Sequence, residues 1–136
     1  MPVESAETYE IRAQEDVVVV RQAVRRRAVS LGFNLVDQTK IVTAASELAR
    51  NTFLHGGGGQ ASVETVMDGN KAGLKLTFMD EGPGIENIDL AMKDGYTSKG
   101  GMGLGLGGAK RLSNEFEIES QPGKGTRISI VRWKAF

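Results

Sequence analysis

Hydrophobic residues recur along the chain with two different spacings, and glycine-rich stretches separate the segments that carry them. Residues 8–13 alternate weakly between apolar and polar and predict a first β-strand. Over 16–31 and 37–55 apolar residues recur every three or four positions, which predicts two amphipathic helices, each capped by the aspartate at its start. Gly32 and the run Gly56–Gly59 are the predicted ends of these helices.

The second half of the chain alternates mainly with the period of two that strands require. The turn Asp68-Gly69-Asn70 lies between two alternating segments and is a strong hairpin signal. We predict strands over 61–67, 74–80, 116–120 and 126–133, helices over 88–92 and 104–112, and a loop over 94–103. The predicted fold is an α/β sandwich of two layers, in which helices cover one face of a mixed, mostly antiparallel sheet. We expect one domain over residues 1–136.

The composition excludes several classes of protein. The chain has no cysteine, so it forms neither disulfides nor thiolate metal sites. Its 17 basic and 17 acidic residues balance, so no global field attracts nucleic acid or an acidic membrane. The longest apolar run, Val17–Val20, is far shorter than the ~20 residues of a membrane span, and Met1–Tyr9 does not resemble a signal peptide. We therefore expect a cytoplasmic protein that binds neither nucleic acid nor a membrane.

Glu47 and Asn51 are four residues apart on the second predicted helix, so their side chains project from the same face. The amide oxygen of Asn51 is a hard ligand of the kind that magnesium prefers. The carboxylate of Glu47 can accept a proton from an attacking hydroxyl. The same spacing occurs on ordinary solvent-exposed helix faces, so this interpretation stays open beside the functional one.

Asp80 ends an apolar predicted strand and is followed by a turn that contains Gly82 and Gly84. A carboxylate in this position can accept a hydrogen bond from an exocyclic amine such as that of adenine. The two glycines let the backbone pass close to a ring without a side-chain clash. An ordinary β-turn explains the same residues, and the turn alone does not decide between the two.

Glycines are concentrated between residues 100 and 108, and Gly103, Gly105 and Gly108 match the pattern G-x-G-x-x-G. A dinucleotide-binding site needs a strand directly before this pattern, and the polar segment 94–100 does not predict one. The glycines do open a predicted helix, where free N–H groups favour phosphate. Lys99 and Lys110 lie nearby in sequence as cationic partners.

In their order and spacing, four motifs together resemble the GHKL ATPases, the superfamily of gyrase, Hsp90, histidine kinases and MutL. They are Glu47–Asn51, Asp80–Gly84, Gly101–Leu106 and Gly123–Thr126. Within that superfamily the segments 101–112 and 116–126 look most like the RsbT-type serine kinases of bacterial partner-switching systems, the anti-sigma regulatory factor kinase family. This resemblance implies a Bergerat-type fold and binding of ATP and magnesium.

The resemblance also implies roles for individual residues. Glu47 would be the general base for a substrate serine, Asn51 would bind the magnesium, and Asp80 would bind the adenine amine. Thr126 would act on adenine through a water that it shares with Asp80. The remaining nucleotide-binding residues that the resemblance implies are Gly82 and Gly84 around the ring, Gly101, Met102, Gly103, Leu104 and Gly105 around the phosphates, and Lys99 at the terminal phosphate. Relatives often carry arginine at that lysine's position, and lysine supplies only a point charge there.

The expected activity is therefore phosphorylation of a STAS-domain antagonist protein, with the regulatory domain of a metal-dependent phosphatase as second partner and a role in stressosome-type stress signalling. The alternative is an anti-sigma factor kinase that sequesters a sigma factor by binding. A degenerate ATP-binding module is less consistent with an intact Glu47 and Asn51. Two further features stay open: Arg25–Arg27 is either a solvated helix face or a docking surface for an acidic partner, and His55 fits a helix end better than a phosphoacceptor.

Overall fold

The computed structural model describes residues 3–92 and 105–135 and contains five strands and four helices within them. In chain order they are β1 (Val3–Ile11), α1 (Gln14–Leu31), α2 (Leu35–Leu54), β2 (Gly59–Asp68), β3 (Lys71–Asp80), α3 (Ile88–Ala91), α4 (Gly105–Arg111), β4 (Glu115–Gln121) and β5 (Gly125–Trp133). The strands form one sheet in the order β1-β2-β3-β5-β4, and each pair is antiparallel. No parallel βαβ unit exists among the described residues, which excludes the dinucleotide-binding fold.

The hydrophobic core lies between the two long helices and one face of the sheet, as the alternation predicted. The apolar stripes of α1 and α2 face inward residues of β2, β3 and β5, and the fully buried members include Val20, Val24, Ile41, Leu48, Val63, Leu74, Leu76 and Ile130. Strand residues of the opposite parity point to the other face. There Thr77 and Ser129 share a hydroxyl hydrogen bond of 3.1 Å. The two-layer sandwich is therefore confirmed, with an entirely antiparallel sheet.

The helix starts differ from the prediction by two or three residues, because both capping aspartates occupy the third helical position. α1 begins at Gln14, and the Asp16 carboxylate accepts hydrogen bonds from the backbone N–H groups of Arg12 and Ala13 at 2.8 and 3.0 Å. α2 begins at Leu35, where the side chain of Asn34 accepts from the Asp37 N–H at 2.8 Å. The prediction of Asp16 and Asp37 as N-caps was therefore wrong.

Strand β1 starts five residues earlier than predicted and ends two residues earlier. Its pairing with β2 runs from Val3 to Ile11 with one register shift near the start. Ile11 is the last paired residue because the N–H groups that follow it bind the Asp16 carboxylate instead of continuing the ladder. The other strands extend one to three residues beyond the predicted limits, which is the usual uncertainty of boundaries.

A buried ion pair joins the start of α2 to the end of the sheet. Asp37 and Arg132 are 2.6 Å apart, and their side chains are 10% and 13% exposed. A second nitrogen of the Arg132 guanidinium donates to the carbonyl oxygen of Leu112, just after α4, at 2.9 Å. One side chain of β5 therefore holds both a long helix and the short helix that follows the glycine-rich segment.

The arginine cluster of α1 divides into two kinds of residue. Arg27 reaches across to the sheet and binds Ser5, Glu7 and Thr65, and its side chain is only 14% exposed. Arg25 and Arg26 are exposed. A docking role for this cluster therefore rests on Arg25 and Arg26, because Arg27 attaches α1 to β1 and β2.

Removing one member of the Asp37–Arg132 pair should destabilise the fold strongly, because it leaves the other charge buried without compensation. We expect Asp37→Leu or Arg132→Met to lower the free energy of unfolding by about 3–5 kcal/mol, and the double variant to recover most of that loss. Urea unfolding followed by circular dichroism measures these values. The control is Glu119→Gln, which removes an exposed partner of Arg127 and should cost at most about 1 kcal/mol. Single variants no less stable than this control would contradict the assigned role.

Candidate functional site

A cavity of about 350 Å³ opens between α2, the adjoining ends of β3 and β5, and the start of α4. Its lining combines a polar side on α2 with an apolar side on the strands and α4. The lining residues are Glu47, Arg50, Asn51, Thr52, Leu54, His55, Gly56, Phe78, Asp80, Pro83, Gly84, Ile85, Ala91, Gly105, Leu106, Thr126 and Ile128. The cavity is therefore built from every part of the chain in which the sequence placed a motif.

Helix α2 contributes to the core with one face and to the cavity with the other. Ala44, Ala45 and Leu48 are completely buried against the sheet. Glu47 and Asn51, spaced by one turn, lie on the cavity side. The helix rises 1.5 Å per residue, so Glu47 lies about 12 Å along the axis from His55 at the helix end. One end of the cavity therefore lies at His55, where α2 ends, and the other end lies at Glu47.

Asp80 lies at the His55 end, in a setting where backbones approach one another closely. It pairs with Gly59 of β2 and with Thr126 of β5, and its side chain accepts from the Gly82 N–H at 2.9 Å. A Cβ atom on Gly56 would lie 2.3 Å from the Asp80 side chain. A Cβ atom on Gly125, whose φ is 88°, would lie 2.1 Å from the Asp80 carbonyl oxygen. Only glycine fits at these two positions.

Burial raises the pKa of Asp80 above its ordinary value, because the low-dielectric cavity disfavours the charged carboxylate. Hydrogen bonds from the backbone N–H groups of Gly82 and Thr126, and the nearby His55, act on this pKa in the opposite direction. A half-buried carboxylate in the wall of an apolar cavity is stabilised when a bound ligand donates a hydrogen bond to it. An amine on a planar ring supplies such a donor.

A hydroxyl network holds the strand end and the following turn together. The Ser120 hydroxyl accepts from the Ile85 N–H at 2.8 Å and donates to the Gly125 carbonyl oxygen at 3.1 Å. It also shares a hydrogen bond of 2.8 Å with the Thr126 hydroxyl. The Thr126 hydroxyl therefore contacts Ser120 and also belongs to a residue that lines the cavity.

The glycines of the Asp80 turn have a structural requirement that the sequence did not reveal. Gly84 has a φ of 77°, and a Cβ atom there would lie 2.1 Å from the Gln121 carbonyl oxygen. A Cβ atom on Gly82 would lie 2.7 Å from Gly56. At both glycines the added Cβ atom would overlap backbone atoms. Gly84 also lines the cavity.

Most of the predicted site residues within the described ranges meet in this cavity. Glu47, Asn51, Asp80, Gly84, Gly105 and Thr126 all line it, and Gly82 supports Asp80 from behind. Lys99, Gly101, Met102, Gly103 and Leu104 lie outside the residues that the structure describes. His55 is the C-terminal cap residue of α2, as predicted, and also lines the cavity.

Several residues of the site were not predicted from the sequence. Arg50, Phe78 and Ile128 line the cavity, and Ser120 supports it. Phe78 and Ile128 face each other across β3 and β5, and strand alternation together with this register would have identified them. Leu54 follows the apolar spacing of α2, but it is half-buried and lines the cavity. Arg50 has the i,i+3 spacing from Glu47 that would have revealed it.

The chemistry of the cavity fits a metal ion that is shared with a ligand. Within 3–92 and 105–135 no group of three histidine, cysteine, aspartate or glutamate side chains could hold a metal ion alone. Glu47 and Asn51 supply oxygen atoms at one end of the cavity. Magnesium is typically bound by one or two protein oxygens together with waters and substrate phosphates. These residues therefore fit magnesium only as part of a phosphate complex.

The fold and this cavity define a class of protein. The family described as "Histidine kinase-, DNA gyrase B-, and HSP90-like ATPase" matches residues 36–135, and the chain belongs to that family. Among its relatives, the serine/threonine-protein kinase RsbT of Bacillus subtilis (strain 168) is 48% identical over 123 residues, which cover 90% of this chain and 92% of that protein. The anti-sigma F factor of Thermoanaerobacter sp. (strain X514) is 31% identical and covers 83% of this chain and 82% of that protein.

Solved structures share the fold at lower identity. The RsbU and RsbW domains of a Mycobacterium tuberculosis protein align with a TM-score of 0.66 at 21% identity, over all of this chain and 34% of that chain. The mycobacterial sensor histidine kinase MprB aligns with a TM-score of 0.54 at 21% identity, over 96% of this chain and 98% of that chain. In the described part of the chain, no helix is long and apolar enough to cross a membrane.

The raised pKa of Asp80 predicts a pH-dependent stability. Since the folded-state pKa lies above the unfolded value, Asp80 contributes stability below the unfolded pKa and loses it as the pH rises through the folded pKa. We expect nucleotide-free Asp80→Asn to melt at a higher temperature than the wild type at about pH 7, with the difference shrinking as the pH falls.

Thermal unfolding between about pH 4 and pH 8 measures this effect. The matched control is Asp68→Asn, at the exposed end of β2, which should leave the melting temperature unchanged. An Asp80→Asn protein that melts no higher than the wild type across this range would show that the carboxylate is not destabilised by burial.

Proposed function

We propose that this protein is an ATP-dependent serine/threonine kinase that phosphorylates a partner protein. The observation that carries the proposal is that Glu47 and Asn51 share one cavity with Asp80 and Thr126. Glu47 lies about 12 Å, and Asn51 about 6 Å, along α2 from the helix end beside Asp80. The 48% identity to a protein named as a serine/threonine kinase supports the same activity. The proposal places the protein in the cytoplasm, where ATP is available.

Adenine occupies the apolar end of the cavity in this proposal. Phe78, Ile128 and Ile85 provide apolar surface for the ring, and the Asp80 carboxylate accepts a hydrogen bond from the adenine amine. Thr126, whose hydroxyl shares a hydrogen bond with Ser120, acts through a water that it shares with Asp80. Removing the Asp80 carboxylate should therefore abolish ATP binding.

The phosphates extend along α2 toward Glu47. The serine oxygen of the substrate forms a bond to the γ-phosphorus as the bond from that phosphorus to the β–γ bridging oxygen breaks. The electron pair of the broken bond leaves with ADP, and Glu47 accepts the serine proton. Magnesium, when bound, neutralises phosphate charge, and Asn51 is the residue that holds it. Lys99 and the glycines from Gly101 to Gly105 are proposed to contact the phosphates.

The substrate in this proposal is a STAS-domain antagonist, and the regulatory domain of a metal-dependent phosphatase is the second partner. The relative named RsbT and the shared fold with RsbU and RsbW domains support a partner-switching role of this kind. Phosphorylation would then decide which of the two partners the kinase binds, and the setting would be stressosome-type stress signalling.

A second candidate function is an anti-sigma factor kinase, which the 31% identity to a protein named anti-sigma F factor supports. The identity is lower than that to the RsbT relative and covers less of the chain. Affinity measurements against a sigma factor and a phosphatase regulatory domain separate the two candidates. Binding to the sigma factor alone would favour the second.

Loss of the Glu47 carboxylate should separate binding from catalysis. We expect Glu47→Ala to bind ATP with wild-type affinity but to transfer phosphate at least about 10²-fold more slowly, because the serine proton has no acceptor. The assay is incubation with ATP, magnesium and the STAS protein, followed by mass spectrometry for phosphoserine.

The matched control for this assay is Glu117→Ala, which removes the same charge from an exposed position on β4 outside the cavity. Wild-type transfer by Glu47→Ala would remove Glu47 from the base role. Absence of phosphoserine with the wild-type protein, despite ATP binding, would overturn the kinase proposal.

A further inference from the structure

The charges in the cavity do not suit a polyphosphate unless a cation joins them. Glu47 and Asp80 both carry carboxyl groups. Of the described lining residues, Arg50 alone carries a permanent positive charge. A nucleoside triphosphate that enters between two carboxylates needs such a charge beside its phosphates.

Arg50 lies at the level of the cavity where the phosphates are expected. It follows Glu47 by three residues and precedes Asn51 by one, so the three form one patch on the cavity side of α2. Along the helix axis Arg50 is about 7.5 Å from His55, which marks the Asp80 end. Arg50 therefore lies closer along the axis to Glu47, where the terminal phosphate is expected, than to the end of the helix beside Asp80.

We infer that Arg50 binds the terminal phosphate of the nucleotide and stabilises the charge that develops during phosphoryl transfer. The inference rests on the proposed function, and it adds a catalytic residue on the rigid helix α2 to those that the motifs indicate. Arg50 is half-buried, and it already has an interaction partner within the protein. A guanidinium has five N–H donors and can therefore contact a protein group and a phosphate at the same time.

Arginine suits this role better than the lysine predicted at residue 99. A guanidinium contacts two phosphate oxygens at once, stays ionised at every working pH and loses less hydration on binding than an ammonium. An arginine that contacts the transferring phosphoryl group typically accelerates transfer strongly. Arg50 would supply this contact in cis from the helix that also carries the base.

The test compares a nucleotide that has a terminal γ-phosphate with one that lacks it. We expect Arg50→Gln to weaken binding of the non-hydrolysable ATP analogue with a β,γ-imido bridge by about 10- to 100-fold, and binding of ADP by less than about threefold. Arg50→Lys, which keeps the charge but not the bidentate contact, should lie between Arg50→Gln and the wild type. Isothermal titration calorimetry with magnesium measures both affinities.

Two controls distinguish a phosphate contact from a structural role. Lys40→Gln removes an exposed cation from the same helix and should change neither affinity. Asp80→Asn, placed at the other end of the cavity, should weaken both nucleotides alike. If Arg50→Gln also weakens both alike, or if both Arg50 variants keep the wild-type ratio of the two affinities, the inference is overturned.

The affinity test of Arg50 and the test of kinase activity can fail independently of each other. A selective loss of triphosphate affinity supports the role of Arg50 even if no serine is phosphorylated, whereas the absence of phosphoserine overturns only the kinase activity. Where Arg50→Gln fails to fold, Arg50→Lys decides alone: an unchanged affinity ratio with an unchanged transfer rate contradicts the inference.

Discussion

Close packing of backbone around Asp80 is the constraint on which the rest of the site depends. The turn after α2, the end of β3 and the start of β5 meet at this residue, and side chains on Gly56 or Gly125 would overlap it. The contact brings the last turn of α2 against the sheet at one point. The cavity face of α2 and the Asp80 carboxylate therefore open into the same space, and Glu47 acquires a fixed position relative to the apolar end.

The two ends of α2 are held by different interactions. At its start, Asp37 pairs with Arg132 in a buried salt bridge, and Arg132 also binds the residue after α4. At its end, Gly56 packs closely against the Asp80 side chain, where a Cβ atom would not fit. A helix fixed at both ends keeps its cavity face in register with the strands, which is what a reaction that depends mainly on positioning requires. The half-buried Asp80 carboxylate destabilises the ligand-free protein, because burial disfavours its charged form. The same carboxylate can accept a hydrogen bond from a ligand.

Much of the fold followed from hydrophobic spacing, because the alternating strands and the two striped helices each bury one face. The starts of the helices could not be predicted in this way, because an aspartate is equally suited to the N-cap and to the third helical position. Only the hydrogen bonds that the side chains of Asp16 and Asn34 accept from backbone N–H groups distinguish the two cases. The site residues within the four motifs were identified from the order of those motifs along the chain. Ser120 was not, because its role depends on strand register. Arg50 lies in no position that the motifs assign, although its spacing from Glu47 indicates the same side of α2.

The central claim is that this cavity binds ATP with the adenine amine on Asp80, and inosine triphosphate tests it most directly. It carries an oxygen in place of that amine and a proton on the adjacent ring nitrogen, so it presents an acceptor where ATP presents the amine donor to Asp80. Sites built around a ligand hydrogen bond reject analogues that lack the group, and we predict at least about 10²-fold weaker calorimetric binding of inosine triphosphate than of ATP. Equal affinities for the two nucleotides would contradict the claim.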